Sequence, residues 1–94
     1  MTDAERLELL KADLQYPPAA NDTYLRHLLQ VAAEAIGKEG IKLNESVSHE
    51  HLRIMYAAYL YRKRAAPETA MPRMLRWALN QAKFHKKGTV SNAT

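Results

Sequence analysis

The chain has 94 residues, a mass of 10.7 kDa and a formal net charge of +4, and 47% of its residues are hydrophobic. This length suits one small domain, and the absence of cysteine excludes disulfides, thiolate metal sites and a cysteine nucleophile. No apolar run approaches the ~20 residues of a membrane span, and the first residues lack a signal-peptide apolar region. We therefore expect a soluble intracellular protein.

The charge is unevenly distributed along the chain. Residues 1–50 carry nine acids and five bases, a balance of −4, whereas residues 51–94 carry nine bases and Glu68 alone, a balance of +8. Such polarity suits either an anionic partner or a second copy of the chain stacked head to tail. Both interpretations stay open at this stage.

The first predicted helix covers residues 3–14. Thr2 and Glu5 have the spacing of a capping box, in which each side chain satisfies a free backbone N–H of the other residue. Leucines then recur at helical spacing and form one apolar stripe. Pro17 ends the helix because proline lacks the backbone donor that a helix needs.

The second predicted helix begins at Asn21 or Asp22, both of which are good N-caps. Its apolar residues repeat at the spacing of a buried helical face, and Gly40 is a suitable residue just beyond its end. We expect the following connection, residues 41–47, to be ordered, with its apolar side chains under the core.

The third predicted helix begins at Ser48 and ends in a run of cations. Ile54 and Tyr61 lie away from its main apolar stripe, which consists of Leu52, Met55, Tyr56, Tyr59 and Leu60. Apolar side chains on more than one face indicate a helix that is central or shared with a neighbouring chain.

The fourth predicted helix has Pro72 at its first position and loses its pattern after Phe84. Arg76 and Trp77 point away from its predicted buried face, which comprises Met71, Met74, Leu75, Ala78, Leu79 and Ala82. No segment alternates like a strand. We predict an all-α fold, a single-domain bundle of about four helices over residues 1–85 with a flexible basic and polar tail over residues 86–94.

Catalytic chemistry has little support in the sequence. The closest approach to a metal motif is His49-Glu50-His51, but residues two apart do not share a helix face. The serines lack a glycine-framed turn, and no glycine-rich loop suits a phosphate. We therefore expect no enzyme activity, no cofactor and no metal site.

The basic half carries more information because its cations are interleaved with aromatic residues. This pattern suits salt-dependent binding of nucleic acid, although the same aromatics serve equally well as core. We expect Tyr56 and Tyr59 in the core, and leave Tyr61 and Trp77 open between core and interface. The turn around Pro67 is longer than that of a DNA-binding helix-turn-helix.

Two runs also carry a family resemblance: residues 55–64 (MYAAYLYRKR) and residues 70–80 (AMPRMLRWALN). Together with residues 9–14, 32–36 and 39–41, they resemble the head-tail connector proteins of tailed phages, also called head-completion or adaptor proteins. The resemblance covers about residues 5–87.

The resemblance implies a small helical subunit of a virion, assembled in the host cytoplasm. Such subunits form a ring, typically dodecameric, beneath the portal protein, extend the channel for packaged double-stranded DNA, and attach the neck or tail completion proteins, with no membrane partner. In this family the C-terminal segment reaches onto the portal and orders on docking, at a cost in free energy. The excess apolar surface of the third helix would then be buried in the ring.

These considerations select two sets of residues. The expected subunit or portal contacts are Tyr61, Arg62, Arg64, Arg73, Trp77, Phe84, Lys86 and Lys87. The candidate DNA-channel cations are Arg53, Lys63, Arg76 and Lys83. Whether the basic half faces DNA or an acidic portal surface stays open. The alternative function is a small basic helical DNA-binding regulator, whose affinity would fall steeply with salt.

Overall fold

The computed structural model describes residues 1–18 and 21–92, with side chains as far as Lys83. These residues form four helices and no strand: α1 (Asp3–Asp13), α2 (Asp22–Lys38), α3 (Val47–Ala65) and α4 (Arg73–Asn92). The predicted all-α class and helix number are confirmed. The predicted tail, residues 86–94, lies outside the described side chains.

The helix starts follow from side-chain caps. The Thr2 hydroxyl accepts from the Glu5 N–H at 3.2 Å while the Glu5 carboxylate accepts from the Thr2 N–H at 2.7 Å, which confirms the capping box. The side-chain oxygen of Asn21 accepts from the Tyr24 N–H at 3.1 Å. At the other end of α2, Gly40 has a φ of +89°, the left-handed conformation that favours glycine.

Several helix boundaries differ from the prediction: α1 ends at Asp13 rather than at residue 14, and α4 begins at Arg73 rather than at Pro72. The third helix begins at Val47 because Ser46, rather than Ser48, is the N-cap and accepts from the His49 N–H at 3.3 Å. The fourth helix continues to Asn92, well past Phe84. The sequence after Phe84 has no proline to stop a helix, so the loss of apolar periodicity there was not a stop signal.

The interior divides into two clusters that share α3. The first, here the three-helix core, is formed by Leu7, Leu10, Leu25, Leu28, Leu29, Ala32, Ile54, Ala57 and Ala58. The second, here the α4 core, is formed by Ile36, Ile41, Leu52, Leu75 and Leu79. Tyr56 packs against both clusters and Tyr59 against the second, as predicted.

The central position of α3 accounts for its apolar residues on two faces. Ile54 is buried in the three-helix core and Tyr61 packs against the same cluster. The opposite stripe of α3 packs against the α4 core. The apolar surface that was expected to be buried in a ring is therefore used inside the chain.

Two apolar residues predicted to be buried are exposed. Val47 is 86% exposed because it stands in the first turn of α3, whereas Ile41 and Leu43 of the same connection do pack against the α4 core. Met74 is 67% exposed. Only a narrow face of α4, which includes Leu75 and Leu79, packs in the core. Met74 lies at the edge of this face, and no part of the core covers it.

Candidate assembly surfaces

The four cations predicted to line a DNA channel all have partners within the chain. The Arg53 Nε donates to the Leu29 carbonyl at 2.9 Å, and burial lowers the pKa of this guanidinium. The Lys63 ammonium donates to two turn carbonyls, those of Pro67 and Thr69, both at 3.3 Å. These contacts serve the fold, so the two cations do not form a free basic row.

Arg76 and Lys83, the other two candidates, converge on Glu39. The Arg76 guanidinium donates to both carboxylate oxygens at 3.0 and 3.3 Å, and the Lys83 ammonium donates to one of them at 2.9 Å. Hydrogen bonds first from Arg76 and then from Lys83 lower the pKa of Glu39. This arrangement, here the Glu39 clasp, ties the end of α2 to α4.

The predicted contact residues of α3 also serve the fold. The Arg62 guanidinium donates to the Asp13 carbonyl at 3.2 Å and lies 3.8 Å from the Asp13 carboxylate. The Arg64 guanidinium stacks over the Tyr24 ring, 4.4 Å from its centroid. These residues hold the end of α3 against α1 and α2, so only part of each side chain remains for another molecule.

The polarity of the sequence is partly satisfied within the chain. Asp13 pairs with Arg62, and Glu39 pairs with Arg76 and Lys83, so that three ion pairs join the acidic half to the basic half. The contrast between the halves is therefore smaller on the folded surface than in the sequence.

The three residues of the His49-Glu50-His51 run diverge. The His49 Nδ1 accepts from the Asn44 N–H at 3.1 Å. Glu50 is buried and receives two hydrogen bonds from the Arg6 guanidinium, at 2.8 and 2.9 Å, which lower the pKa of this carboxyl. His51 is exposed. Among the described residues, no group of three or more His, Asp or Glu side chains is placed to hold a metal ion.

The outer side of α4 exposes large apolar residues. Trp77 is 59% exposed, Met74 is 67% exposed, and Arg73 lies on the same side one helical turn before Trp77. These three residues are here called the α4 ridge. The ridge borders a groove of about 430 Å³ between α3 and α4, whose floor includes Leu52 and Met55. Among the predicted contact residues, Arg73 and Trp77 are exposed on this ridge. Arg62 and Arg64 are exposed as well but also contact α1 and α2, and Phe84, Lys86 and Lys87 lie outside the described side chains.

A second groove, of about 710 Å³, lies between α1 and the start of α3. Its apolar lining includes Met1, Leu9 and Val47, which are 45%, 44% and 86% exposed. The charged side chains that line it are Glu5, Asp13, Glu45 and Glu50, of which Asp13 and Glu50 are paired with Arg62 and Arg6. This α1–α3 groove was missed from the sequence, although Leu9, which stands beside the leucine stripe of α1, was a signal for it.

The chain matches no known family model, no curated protein and no solved structure. The resemblance to connector proteins therefore stays a prediction. Within the described part of the chain, no helix is both long enough and apolar enough to cross a membrane.

Proposed function

We propose that the chain is a structural assembly subunit of the head-tail connector kind. Copies of it would join into a ring beneath a portal protein in the virion. The ring would provide a passage for packaged DNA and a surface to which neck or tail components attach. The observation that carries the proposal is the α4 ridge, an exposed tryptophan flanked by an arginine and a methionine.

The ridge has the composition of an interface centre. Tryptophan, methionine and arginine are enriched where protein surfaces meet, and tryptophan and arginine, with tyrosine, are enriched among the strongest contacts. Covering the exposed part of Trp77 would contribute about 3 kcal/mol from its apolar area. The inner face of the same helix already packs in the α4 core, so the ridge can be covered only by another molecule or by a segment outside the described side chains.

The charge distribution supports assembly over DNA binding by a single subunit. Arg53, Arg76 and Lys83 are held by groups of the same chain, and such cations contribute less to phosphate binding than free ones do. The net charge of +4 is nevertheless repeated with every subunit of a ring. A ring of this kind is suited to surround DNA or to meet an acidic portal surface.

The proposal is tested by light scattering over a concentration series, with and without duplex DNA at moderate salt. Three proteins are compared: the wild type, Trp77→Ala and Tyr16→Ala. Tyr16 is the matched control because it is an aromatic residue with a similar exposure, 61%, and lies in neither groove. Circular dichroism of each protein monitors the helical fold.

We expect the wild type and Tyr16→Ala to form a ring-sized species without DNA. Trp77→Ala should keep its helicity and lose at least tenfold in assembly, because truncation of a central interface tryptophan costs about 2 kcal/mol or more. A wild type that stays monomeric or dimeric and shifts only when DNA is added would contradict the proposal and favour the DNA-binding regulator.

A further inference from the structure

We propose that the α1–α3 groove receives the α4 ridge of a second copy, so that subunits join head to tail. This inference rests on the proposed function and specifies which two faces meet. Neither the charge pattern of the sequence nor the family resemblance predicts that this groove is a contact surface.

The groove offers an apolar floor with an acidic rim. Leu9 lies on the outer side of α1 and Val47 in the first turn of α3, and both are substantially exposed to solvent. On the rim, Glu45 is exposed and makes no ion pair with any described residue. An occupant that buries apolar side chains and brings a cation would satisfy both features.

The α4 ridge has the complementary properties. Trp77 and Met74 supply exposed apolar side chains one turn apart, and Arg73 supplies a cation that is likewise without an ion pair among the described residues. The groove and the ridge together contain five of the seven large apolar residues that the described chain exposes: Met1, Leu9, Val47, Met74 and Trp77. One contact between copies would therefore cover most of this surface.

The two surfaces belong to different parts of one subunit. The α1 helix packs in the three-helix core and α4 in the second core, against different residues of α3, and His51 lies between the two grooves. When the ridge of one copy docks in the groove of another, the groove of the first copy and the ridge of the second stay unoccupied. Such a heterologous contact continues beyond a dimer and closes into a ring when its rotation permits.

The experiment uses two variants that each disable one surface. Trp77→Ala removes the exposed aromatic side chain of the ridge. Val47→Arg places a bulky cation in the groove, where it would repel Arg73, and because Val47 is 86% exposed the substitution leaves the core unchanged. Thr23→Arg is the control, since it adds the same charge at an exposed first-turn position of α2 that lines neither groove. The mass of each protein, and of mixtures, is measured at concentrations where the wild type assembles.

We expect the wild type and Thr23→Arg to assemble beyond a dimer, and each disabling variant alone to lose at least tenfold in assembly. An equimolar mixture of Trp77→Ala and Val47→Arg should form a dimer and nothing larger, because only one intact groove and one intact ridge remain, and the arginine introduced at position 47 repels Arg73 at the disabled contact. This mixed dimer is the signature of a head-to-tail contact.

The contrary results separate the two proposals. If Val47→Arg assembles like the wild type, the groove is not the receiving surface, while self-assembly stands. A wild type that stops at a dimer, or a mixture without any dimer, overturns the head-to-tail contact. A wild type that stays monomeric at every concentration overturns the ring-forming function and this inference together.

Discussion

The three-helix core and α4 are held to the same central helix in different ways. The three-helix core contains nine buried apolar residues contributed by α1, α2 and α3. In the second core α4 contributes two fully buried residues, Leu75 and Leu79, while its outer side exposes Met74 and Trp77. The α4 helix thus packs on its own chain through a narrow face and exposes a tryptophan on its opposite face. Such a helix is suited to bind a second chain.

The ion pair of the three-helix region is more deeply buried than the ion pairs that attach α4. In the three-helix region the Glu50 side chain is only 6% exposed and the Arg6 side chain 15% exposed. In the Glu39 clasp the side chains of Glu39, Lys83 and Arg76 are 22%, 32% and 44% exposed. Solvent screens the clasp more strongly, so α4 should be the less firmly attached element.

The largest expected effect compares matched leucine truncations in the two cores. Leu10→Ala and Leu79→Ala each remove a fully buried side chain, and each should lower the free energy of unfolding by about 3 kcal/mol. Hydrogen exchange should then separate them. Leu10→Ala should accelerate exchange in all four helices, whereas Leu79→Ala should accelerate it mainly in α4. Equal acceleration everywhere in both variants would show that α4 and the three-helix core unfold as one unit.

A smaller effect is expected from the buried ion pair. Glu50→Gln should destabilise the protein by about 2 kcal/mol at neutral pH, because the Arg6 guanidinium loses its buried partner while keeping Asp3 at 2.8 Å. The hydrogen bonds from Arg6 hold the pKa of Glu50 below its ordinary value of 4.5 in the folded state. The contribution of the pair is therefore complete above pH 4.5 and is lost as the pH falls through the lowered folded pKa.

Urea titrations of the wild type and Glu50→Gln at a series of pH values check this prediction. The difference in unfolding free energy between the two proteins should be largest at neutral pH and should shrink in acid. A difference that does not change with pH would mean that the charge of Glu50 contributes nothing and that the difference comes from the hydrogen-bonding groups that face Arg6.

The smallest effect is expected at the Glu39 clasp. Glu39→Gln should cost about 1 kcal/mol, since its partners are partly exposed and their attraction is screened. The loss should appear as faster hydrogen exchange in α4 with little change in α1, and added salt should reduce the difference from the wild type. Unchanged exchange in α4 would show that the clasp does not hold this helix.

Local features of the fold were predictable from the sequence, because their determinants lie close together in the chain. The capping box of Thr2 and Glu5, the Asn21 cap and the leucine stripes needed only neighbouring residues and helical periodicity, and all are confirmed. The predicted start of α3 differs from the observed start by one residue, because Ser46 and Ser48 are equally good caps in isolation.

Features that depend on residues far apart in the chain were not predictable in this way. Glu39 binds cations that lie 37 and 44 residues further on, and no periodicity connects such positions. Periodicity likewise gave the direction of Trp77 correctly but not the exposure of Met74, which depends on how narrow the contact between α3 and α4 is. The α1–α3 groove combines the outer side of one helix with the first turn of another, so it exists only in the folded chain.

The most direct test of the proposed assembly uses Trp77, the only tryptophan of the chain, as its own reporter. Its fluorescence and its quenching by acrylamide are followed from dilute to concentrated protein alongside the mass. Because Trp77 is 59% exposed in the single subunit, we expect its emission to shift to shorter wavelengths and its quenching to fall as the mass rises. A rise in mass that leaves the emission and quenching of Trp77 unchanged would contradict assembly through the α4 ridge.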